Sequence, residues 1–381
     1  MGIERYRKEI DRIDNDIKDL LEERMKVVKD IAEYKKENGL PILDARRERE
    51  KLSELAEKTD GGIRRYMTVL YSLLFELSRS YQSALTSGET ELYADIRNSI
   101  DNTPRLFPED PSVACQGVEG AFSQIACEKI FKAPKILYMN TFDSIFSAVE
   151  NGFCKYGVIP LENSTAGSVK KVYDLMVKKQ FYIVRSTRIR IEHSLLAKRG
   201  TELSDVKEIF SHEQAVNQCA GFLADLGDSV RVTCCENTAV AAERVAKSDR
   251  RDVAALASFG CAELYGLDCL RRSVEDSANN HTRFICISKD LEIYPGADKT
   301  SLMMVLPHRP GALYKALARF YALGINLIKL ESRPIPGRDF EFTFYFDLET
   351  SVYSEEFVRL MCDMDGICEE FRYLGSYSEV Q

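Results

Sequence analysis

The sequence predicts a multidomain protein: an all-α three-helix segment, then a two-lobed α/β segment, then a small α+β segment of ferredoxin-like order. Three observations carry this prediction. Apolar residues recur every three or four positions from Ile10 to Ile31, and no strand pattern interrupts the text before Leu85. From Val113 to Lys289, short β-like runs alternate with helical periods. After Pro295-Gly296 the order reads β-α-β-β-α-β. At 381 residues the chain exceeds one ordinary core and suits roughly two to four domains.

The totals describe an ordinary globular protein, with 45% hydrophobic and 29% charged residues. A net charge of −8 and the lack of a basic block argue against nucleic acid as a partner. No apolar run approaches the roughly 20 residues of a membrane helix. The N-terminus is charged and helical without a signal-peptide core, and Tyr6 stands where a myristoylation signal needs Ser or Thr. A cytoplasmic protein is expected. The 11 cysteines cannot all pair, Cys234-Cys235 are adjacent, no Cys-x-x-Cys occurs, and there are 4 histidines. No metal and no cofactor are therefore expected, and the cysteines read as buried small hydrophobes in a reducing cytosol.

The first helix spans Ile3 to Asn38 and stops at Asn38-Gly39-Leu40-Pro41. A second is expected from about Leu43 to Lys58 and a third from about Ile63 to Leu85, with Met67, Leu70, Leu74 and Leu77 on one face. Three helices make a thin core, so a long helix with surplus apolar residues normally finds cover in another protomer.

Three cations punctuate the first helix. At about 100° and 1.5 Å per residue, Arg24 and Lys35 lie within roughly 20° of one face and about 16 Å apart, so both can lean toward one small anion. Arg7 is about 25 Å from Arg24 and roughly 100° around the helix; if all three serve one anion, Arg7 serves it from a second copy. The bland alternative is a solvated charged face. Asp44, Arg47 and Glu48 cluster at the start of the second helix, and Ser78 and Gln82 share a face of the third. The set holds no nucleophile–base pair. It suits a pocket that binds a dicarboxylate, donates to an ether oxygen and accepts from a hydroxyl, accelerating a rearrangement by holding a conformer and neutralising developing charge.

In identity and order, Arg7, Arg24, Lys35, Asp44, Arg47, Glu48, Ser78 and Gln82 resemble the active-site pattern of the all-helical chorismate mutases. The resemblance implies an intertwined dimer that rearranges chorismate to prephenate. Two arginines would hold the carboxylates, the first of them supplied by the partner subunit. Lys35 and Gln82 would donate to the ether oxygen, and Glu48 would take the ring hydroxyl.

From Ser83 to Ser112, polar residues and Pro104, Pro108 and Pro111 read as a linker with a short helix near Glu91 to Ile100. Val113–Gln116 then leads into Gly117-Val118-Glu119-Gly120-Ala121-Phe122-Ser123, a strand-to-helix turn able to offer backbone N–H groups to a carboxylate. The helices Gln124–Phe131 and Thr141–Asn151 and the strand Tyr156–Pro160 follow. The turn Leu161–Gly167 precedes a helix to Lys178, and Asn163 or Ser164 there could cap that helix or bind a ligand. Strands are expected at Arg188–Ala197, Glu208–Ser211, Arg231–Cys234 and Val253–Ala257, with helices Gln214–Leu226, carrying Gln218, and Thr238–Lys247. Ser211 could be a cap.

Asn280-His281-Thr282-Arg283-Phe284 runs from a polar tip into a strand. With Ile159–Gly167, Phe210–Cys219 and Ala254–Leu267 in order before it, this text resembles the prephenate dehydratases. The resemblance covers roughly Val113 to Lys289. It implies a two-lobed fold like the periplasmic binding proteins, with Thr282 essential and Asn163, Ser211 and Gln218 as substrate contacts. Prephenate loses carbon dioxide and its ring hydroxyl together, so a positioned hydroxyl that donates to the departing oxygen suffices. His281 is a rival acid. Arg283 alternates away from Thr282 and is expected in an ion pair inside the lobe.

In the last segment, Gly311-Ala312-Leu313 and Glu331-Ser332-Arg333-Pro334 resemble the phenylalanine-contacting motifs of ACT regulatory domains. This implies L-phenylalanine as an effector, taken at an interface between paired domains through Gly311, Ala312, Leu313, Glu331 and Ser332. The expected boundaries are 1–86 for the mutase, 87–111 for the linker, 112–290 for the dehydratase and 299–377 for the ACT domain. The whole reads as a homodimer or higher homo-oligomer that takes chorismate to phenylpyruvate, with no nucleic-acid or membrane partner. Two alternatives stay open: the same fusion acting on arogenate, and a central cleft that only senses a small molecule. No Gly-x-Gly-x-x-Gly follows any strand, which sets aside a fused dehydrogenase.

Overall fold

The computed structural model describes residues 3–86, 90–227, 229–335, 337–338, 341–364 and 368–381, except the side chains at 84 and 363. Parts of the expected linker (87–89) and of the expected regulatory segment (336, 339–340, 365–367) lie outside the described residues. The chain forms two compact units. One comprises residues 1–97, 304–344 and 353–372; the other comprises 98–303, 345–352 and 373–381.

The first unit opens with α1 (Ile3–Glu37), α2 (Ala45–Lys58) and α3 (Arg64–Thr86); α4 (Glu91–Asn102) follows and runs past the boundary at Arg97. Asp44 starts α2 as its N-cap, accepting from the Arg47 backbone N–H at 2.9 Å. Helix α1 is about 50 Å long, longer than α3 can cover. Among its described residues only Val28 and Ala32 are buried. Ile3, Ile10, Ile17, Arg24 and Ile31 recur every seven positions, as do Tyr6, Ile13, Leu20, Val27 and Tyr34. Every apolar member of both series is exposed. A seven-residue apolar repeat is the seam of a coiled coil.

The second unit contains two sheets. Its elements are β1 (Ser112–Gln116), α5 (Phe122–Ile130), β2 (Lys135–Met139), α6 (Phe142–Glu150), β3 (Tyr156–Asn163), β4 (Gly167–Ser168), α7 (Lys170–Lys178), β5 (Tyr182–Arg190), β6 (Ser194–Ala197), β7 (Glu208–Ser211), α8 (Glu213–Gln218), α9 (Ala220–Asp225), β8 (Arg231–Cys234), α10 (Thr238–Lys247), β9 (Val253–Ala257), α11 (Gly260–Tyr265), β10 (Asp268–Arg271) and β11 (His281–Ser288). The larger sheet includes the run β5-β11-β3-β1-β2, with β4 on β3; the smaller runs β10-β6-β9-β7-β8. The chain crosses between sheets after β5 and again before β11, which gives a two-lobed, periplasmic-binding-protein-like arrangement. Each sheet carries apolar clusters such as Phe146, Ile159 and Ile285 in one lobe and Leu196, Ala242 and Val253 in the other.

The remaining elements are β12 (Lys299–Val305), α12 (Ala312–Ala322), β13 (Asn326–Pro334), β14 (Phe342–Glu349), α13 (Glu355–Asp363) and β15 (Glu370–Val380), the β-α-β-β-α-β order expected. The end of β15 pairs parallel with β5, Glu379 opposite Ser186.

Several sequence expectations are corrected. The single strand Arg188–Ala197 is two, β5 and β6, because the chain changes sheets at Ile191–His193. The helix Gln214–Leu226 breaks at Cys219 (φ −118°, ψ 24°) into α8 and α9. His212, not Ser211, caps α8, its ring nitrogen accepting from the Gln214 N–H at 3.2 Å. Neither Asn163 nor Ser164 caps α7, whose N-cap is Val169. The linker is partly built in: Phe107 stacks on Phe131 at 5.0 Å between ring centres, and Ser99 Oγ donates to the Leu291 carbonyl at 2.7 Å. Not every cysteine is buried, since Cys234 is exposed on the outer strand β8.

Candidate active sites

In the first unit, α1 and α3 bring Arg24 to Ser78, the guanidinium donating to the hydroxyl at 2.5 Å. Ser78 in turn donates to the Leu74 carbonyl at 2.6 Å, a turn back along its own helix. Lys35 Nζ donates to the Ile42 carbonyl at 2.5 Å. Asp44 is engaged as the α2 cap, so its carboxylate fixes the turn from which Arg47 and Glu48 project. Arg47 is exposed, and Glu48 accepts from Arg79. Gln82 is 6% exposed, and its buried Oε1 has no hydrogen-bond partner among the described residues. Arg7 is not brought to this group; it is exposed and pairs with Glu4 at 2.6 Å.

In the second unit a cavity of about 480 Å³ opens onto residues of both lobes, among them Gly117, Phe122, Asn163, His193, Gln218 and Thr282. Strand register builds its centre. β11 pairs antiparallel with β3, placing Thr282 opposite Asn163, and the register then slips between Arg283 and Phe284, which faces Pro160. Proline has no N–H for the ladder, so the slip falls where pairing is already broken.

A hydrogen-bond chain crosses the cavity. Asn163 Nδ2 donates to Thr282 Oγ1 at 2.9 Å and to Asn280 Oδ1 at 2.8 Å. Asn163 Oδ1 accepts from the Thr165 hydroxyl at 2.7 Å, and Thr165 Oγ1 accepts from Gln218 Nε2 at 3.2 Å. Gln218 Oε1 lies 3.0 Å from His193 Nε2. That oxygen can only accept, so the ring donates and Nδ1 carries the lone pair. His193 is 2% exposed, and its Nδ1 has no partner among the described residues. Burial pushes the His193 imidazole below its ordinary pKa, which keeps it neutral. All four links donate in one direction, toward Thr282. The threonine oxygen thereby accepts from the protein and keeps its own hydrogen for another acceptor.

Ser211 stands apart from this chain. It is fully buried and its hydroxyl donates to the Leu256 carbonyl at 2.9 Å, a contact between neighbouring strands. His281 turns its backbone to Ser164, and its side chain is not among the cavity-lining residues. Arg283, 4% exposed, forms the expected ion pair within the lobe with Glu162 at 3.1 Å. Its nearer partner is Asp347 on β14 at 2.6 Å, and it donates to the Tyr377 hydroxyl of β15 at 2.6 Å, both from the segment expected to be regulatory.

The expected effector residues fall on two elements. Gly311 (φ 84°) opens α12 ahead of Ala312 and Leu313, and Glu331 and Ser332 lie on β13. Only glycine takes that left-handed angle without strain.

Residues 6–83 match the chorismate mutase type II family and residues 113–292 the prephenate dehydratase family. A bifunctional chorismate mutase/prephenate dehydratase of Aquifex aeolicus (strain VF5) is 33% identical, covering 98% of this chain and 97% of its own length. The chain belongs to this bifunctional family. Arogenate dehydratase 2 of Petunia hybrida is 36% identical, over 74% of this chain and 74% of its own. A crystal structure of prephenate dehydratase in complex with L-Phe from Arthrobacter aurescens is 28% identical, with a TM-score of 0.64, covering 70% of this chain and 89% of that one. Within this bifunctional mutase/dehydratase chain, sequence reasoning missed His193, Thr165 and Arg79. His193 lay inside what read as one strand, Thr165 inside a turn read for capping, and Arg79 beside Ser78 without belonging to the pattern.

Proposed function

We infer that the chain is a bifunctional enzyme of phenylalanine biosynthesis, rearranging chorismate to prephenate in its helical segment and converting prephenate to phenylpyruvate in the two-lobed cleft. The observation that carries the second activity is the polarity of the Asn163–Thr282 hydrogen bond. In the reaction the electrons of the ring C–carboxylate bond enter the ring as carbon dioxide leaves, and the ring hydroxyl departs as hydroxide. A hydroxyl whose hydrogen is free to donate stabilises that departing oxygen. The apolar side of the cavity, with Phe122 and Phe284, favours shedding water from the carboxylate.

For the mutase, Arg24 and Arg7 of the partner subunit would hold the carboxylates, Lys35 and Gln82 would serve the ether oxygen, and Glu48 the ring hydroxyl. The exposed heptad seam of α1 supports an intertwined dimer. The seam from Ile3 to Tyr34 has its midpoint near residue 18. In an antiparallel pair about that point, Arg7 of the partner subunit faces about residue 30, between Arg24 and Lys35. A parallel pair would set Arg7 against its own copy.

The ferredoxin-like segment reads as an ACT domain that takes L-phenylalanine at Gly311–Leu313, Glu331 and Ser332, and the phenylalanine complex of the Arthrobacter relative supports feedback control. No described helix is long and apolar enough to cross a membrane. The Petunia relative favours one second reading, a fusion whose dehydratase prefers arogenate. Turnover of prephenate and arogenate by the purified protein, with and without phenylalanine, tests these assignments. Faster prephenate turnover that phenylalanine slows and tyrosine does not is expected. Preference for arogenate, or indifference to millimolar phenylalanine, would overturn the corresponding assignment.

A further inference from the structure

Glu48 is held by a residue outside the mutase pattern. Arg79 follows Ser78 on α3, and its guanidinium bridges two carboxylates. Nη1 donates to Glu48 Oε1 on α2, and Nη2 lies 2.5 Å from Glu76 Oε1, one turn back on α3. The same Glu76 oxygen lies 2.5 Å from Lys315 Nζ on α12. Four charges of alternating sign thus run from Glu48 through Arg79 and Glu76 to Lys315, all within the first unit.

Burial separates this chain from the other ion pairs of the helical segment. The Arg79 and Glu48 side chains are 18% and 25% exposed, whereas the Arg12–Asp16 pair is 67% and 61% exposed and correspondingly screened. Burial works to raise the Glu76 carboxyl, but the Lys315 and Arg79 cations beside it outweigh that and hold it below its ordinary value. A network that merely ties α3 to α12 would need neither Glu48 nor this ordering. Lys315 also has a defined address: its backbone N–H donates to the Gly311 carbonyl at 2.9 Å, so it belongs to the turn that Gly311-Ala312-Leu313 opens.

We propose that Arg79 is a positioning residue of the mutase site that fixes the Glu48 carboxylate, and that Lys315 positions Arg79 through Glu76. The proposal rests on the mutase reading above. Without Arg79, the Glu48 side chain loses its charged anchor and samples other rotamers, so the carboxylate is less often where a substrate hydroxyl can donate to it. Without Lys315, Glu76 loses a directly paired cation, keeps Arg79 at 2.5 Å with Arg319 of α12 also within its field, and draws the Arg79 guanidinium away from Glu48. The helix that opens with the expected effector motif then contributes a supporting residue to the mutase.

The test is mutase kinetics on the full chain for wild type, Arg79→Ala, Arg79→Lys, Lys315→Ala and the Arg79→Ala/Lys315→Ala double variant. Turnover of prephenate by the cleft and far-UV circular dichroism serve as folding controls. Arg79→Ala should lower mutase kcat about tenfold with a smaller change in KM, and Arg79→Lys should restore most of it. Lys315→Ala should lower kcat about two- to threefold alone and add nothing to Arg79→Ala, because both act along one path. A kcat within twofold of wild type in folded Arg79→Ala overturns the positioning role. Multiplying effects in the double variant overturn the Lys315 link. Wild-type protein that leaves chorismate unconverted would instead overturn the mutase reading itself.

Discussion

Asn163 Nδ2 donates to Thr282 Oγ1 across the β3–β11 pair at 2.9 Å, and this single bond decides what the threonine can do. A hydroxyl that accepts from the protein keeps its hydrogen for the ligand. The direction is inherited from His193, Gln218 and Thr165 behind it.

Asn163→Asp reverses that direction. A carboxylate there accepts from Thr282 and occupies its hydrogen, so dehydratase kcat should fall about 100-fold or more, while mutase turnover stays near wild type. Thr282→Ser, which keeps a hydroxyl, should lose far less than Thr282→Ala. Steady-state assays of both activities on each variant check this, and an Asn163→Asp enzyme with normal dehydratase kcat would refute the polarity argument.

His193 gives a pH signature. Its folded-state pKa is lowered by burial, so between that value and the ordinary one near 6.5 the unfolded chain binds the proton that the folded chain refuses. Its contribution to stability is complete above about pH 6.5 and is lost as pH falls below it. Thermal midpoints measured from pH 7.5 down to 5.5 should therefore fall more steeply for wild type than for His193→Asn. Parallel slopes would contradict a buried neutral imidazole.

Arg283 is a buried charge whose partners are Asp347, Glu162 and Tyr377. Asp347→Ala removes the nearest carboxylate and should cost about 3 kcal/mol or more of unfolding free energy in urea. An Arg283→Met/Asp347→Leu pair, which leaves no charge stranded, should be closer to wild type. Loss below about 1 kcal/mol in Asp347→Ala would mean that Glu162 and Tyr377 suffice.

The seam on α1 predicts shared mutase sites. Arg7→Ala and Arg24→Ala proteins, each inactive as a mutase, should regain activity when unfolded and refolded together, because a hybrid dimer assembles one intact pocket. Ile17→Glu at the seam should prevent the proposed pairing of two chains and abolish mutase turnover. Confirmed hybrids without recovery would count against exchange of Arg7.

What was legible in the sequence was local or periodic. The three helices followed from apolar spacing and a Gly-then-Pro stop, and Arg24 and Ser78 do meet. The β-α-β-β-α-β order followed from turn residues and alternation. What was hidden depends on long-range register. Nothing near His193 signals that the chain changes sheets there, so a lone histidine in an apparent strand gave no hint of a cavity wall. Ser211 and His212 are neighbours, and only the fold assigns the cap to one and a strand contact to the other. Arg79 touches Glu48 across 31 residues, a distance at which no spacing rule operates.

The central claim is that one chain carries chorismate through prephenate to phenylpyruvate at two separate sites. A coupled assay from chorismate on wild type and Thr282→Ala tests it most directly. Wild type should release phenylpyruvate, and Thr282→Ala should consume chorismate at the wild-type rate while prephenate accumulates. Phenylpyruvate formed at an undiminished rate by Thr282→Ala, or chorismate left untouched by both proteins, would contradict the account.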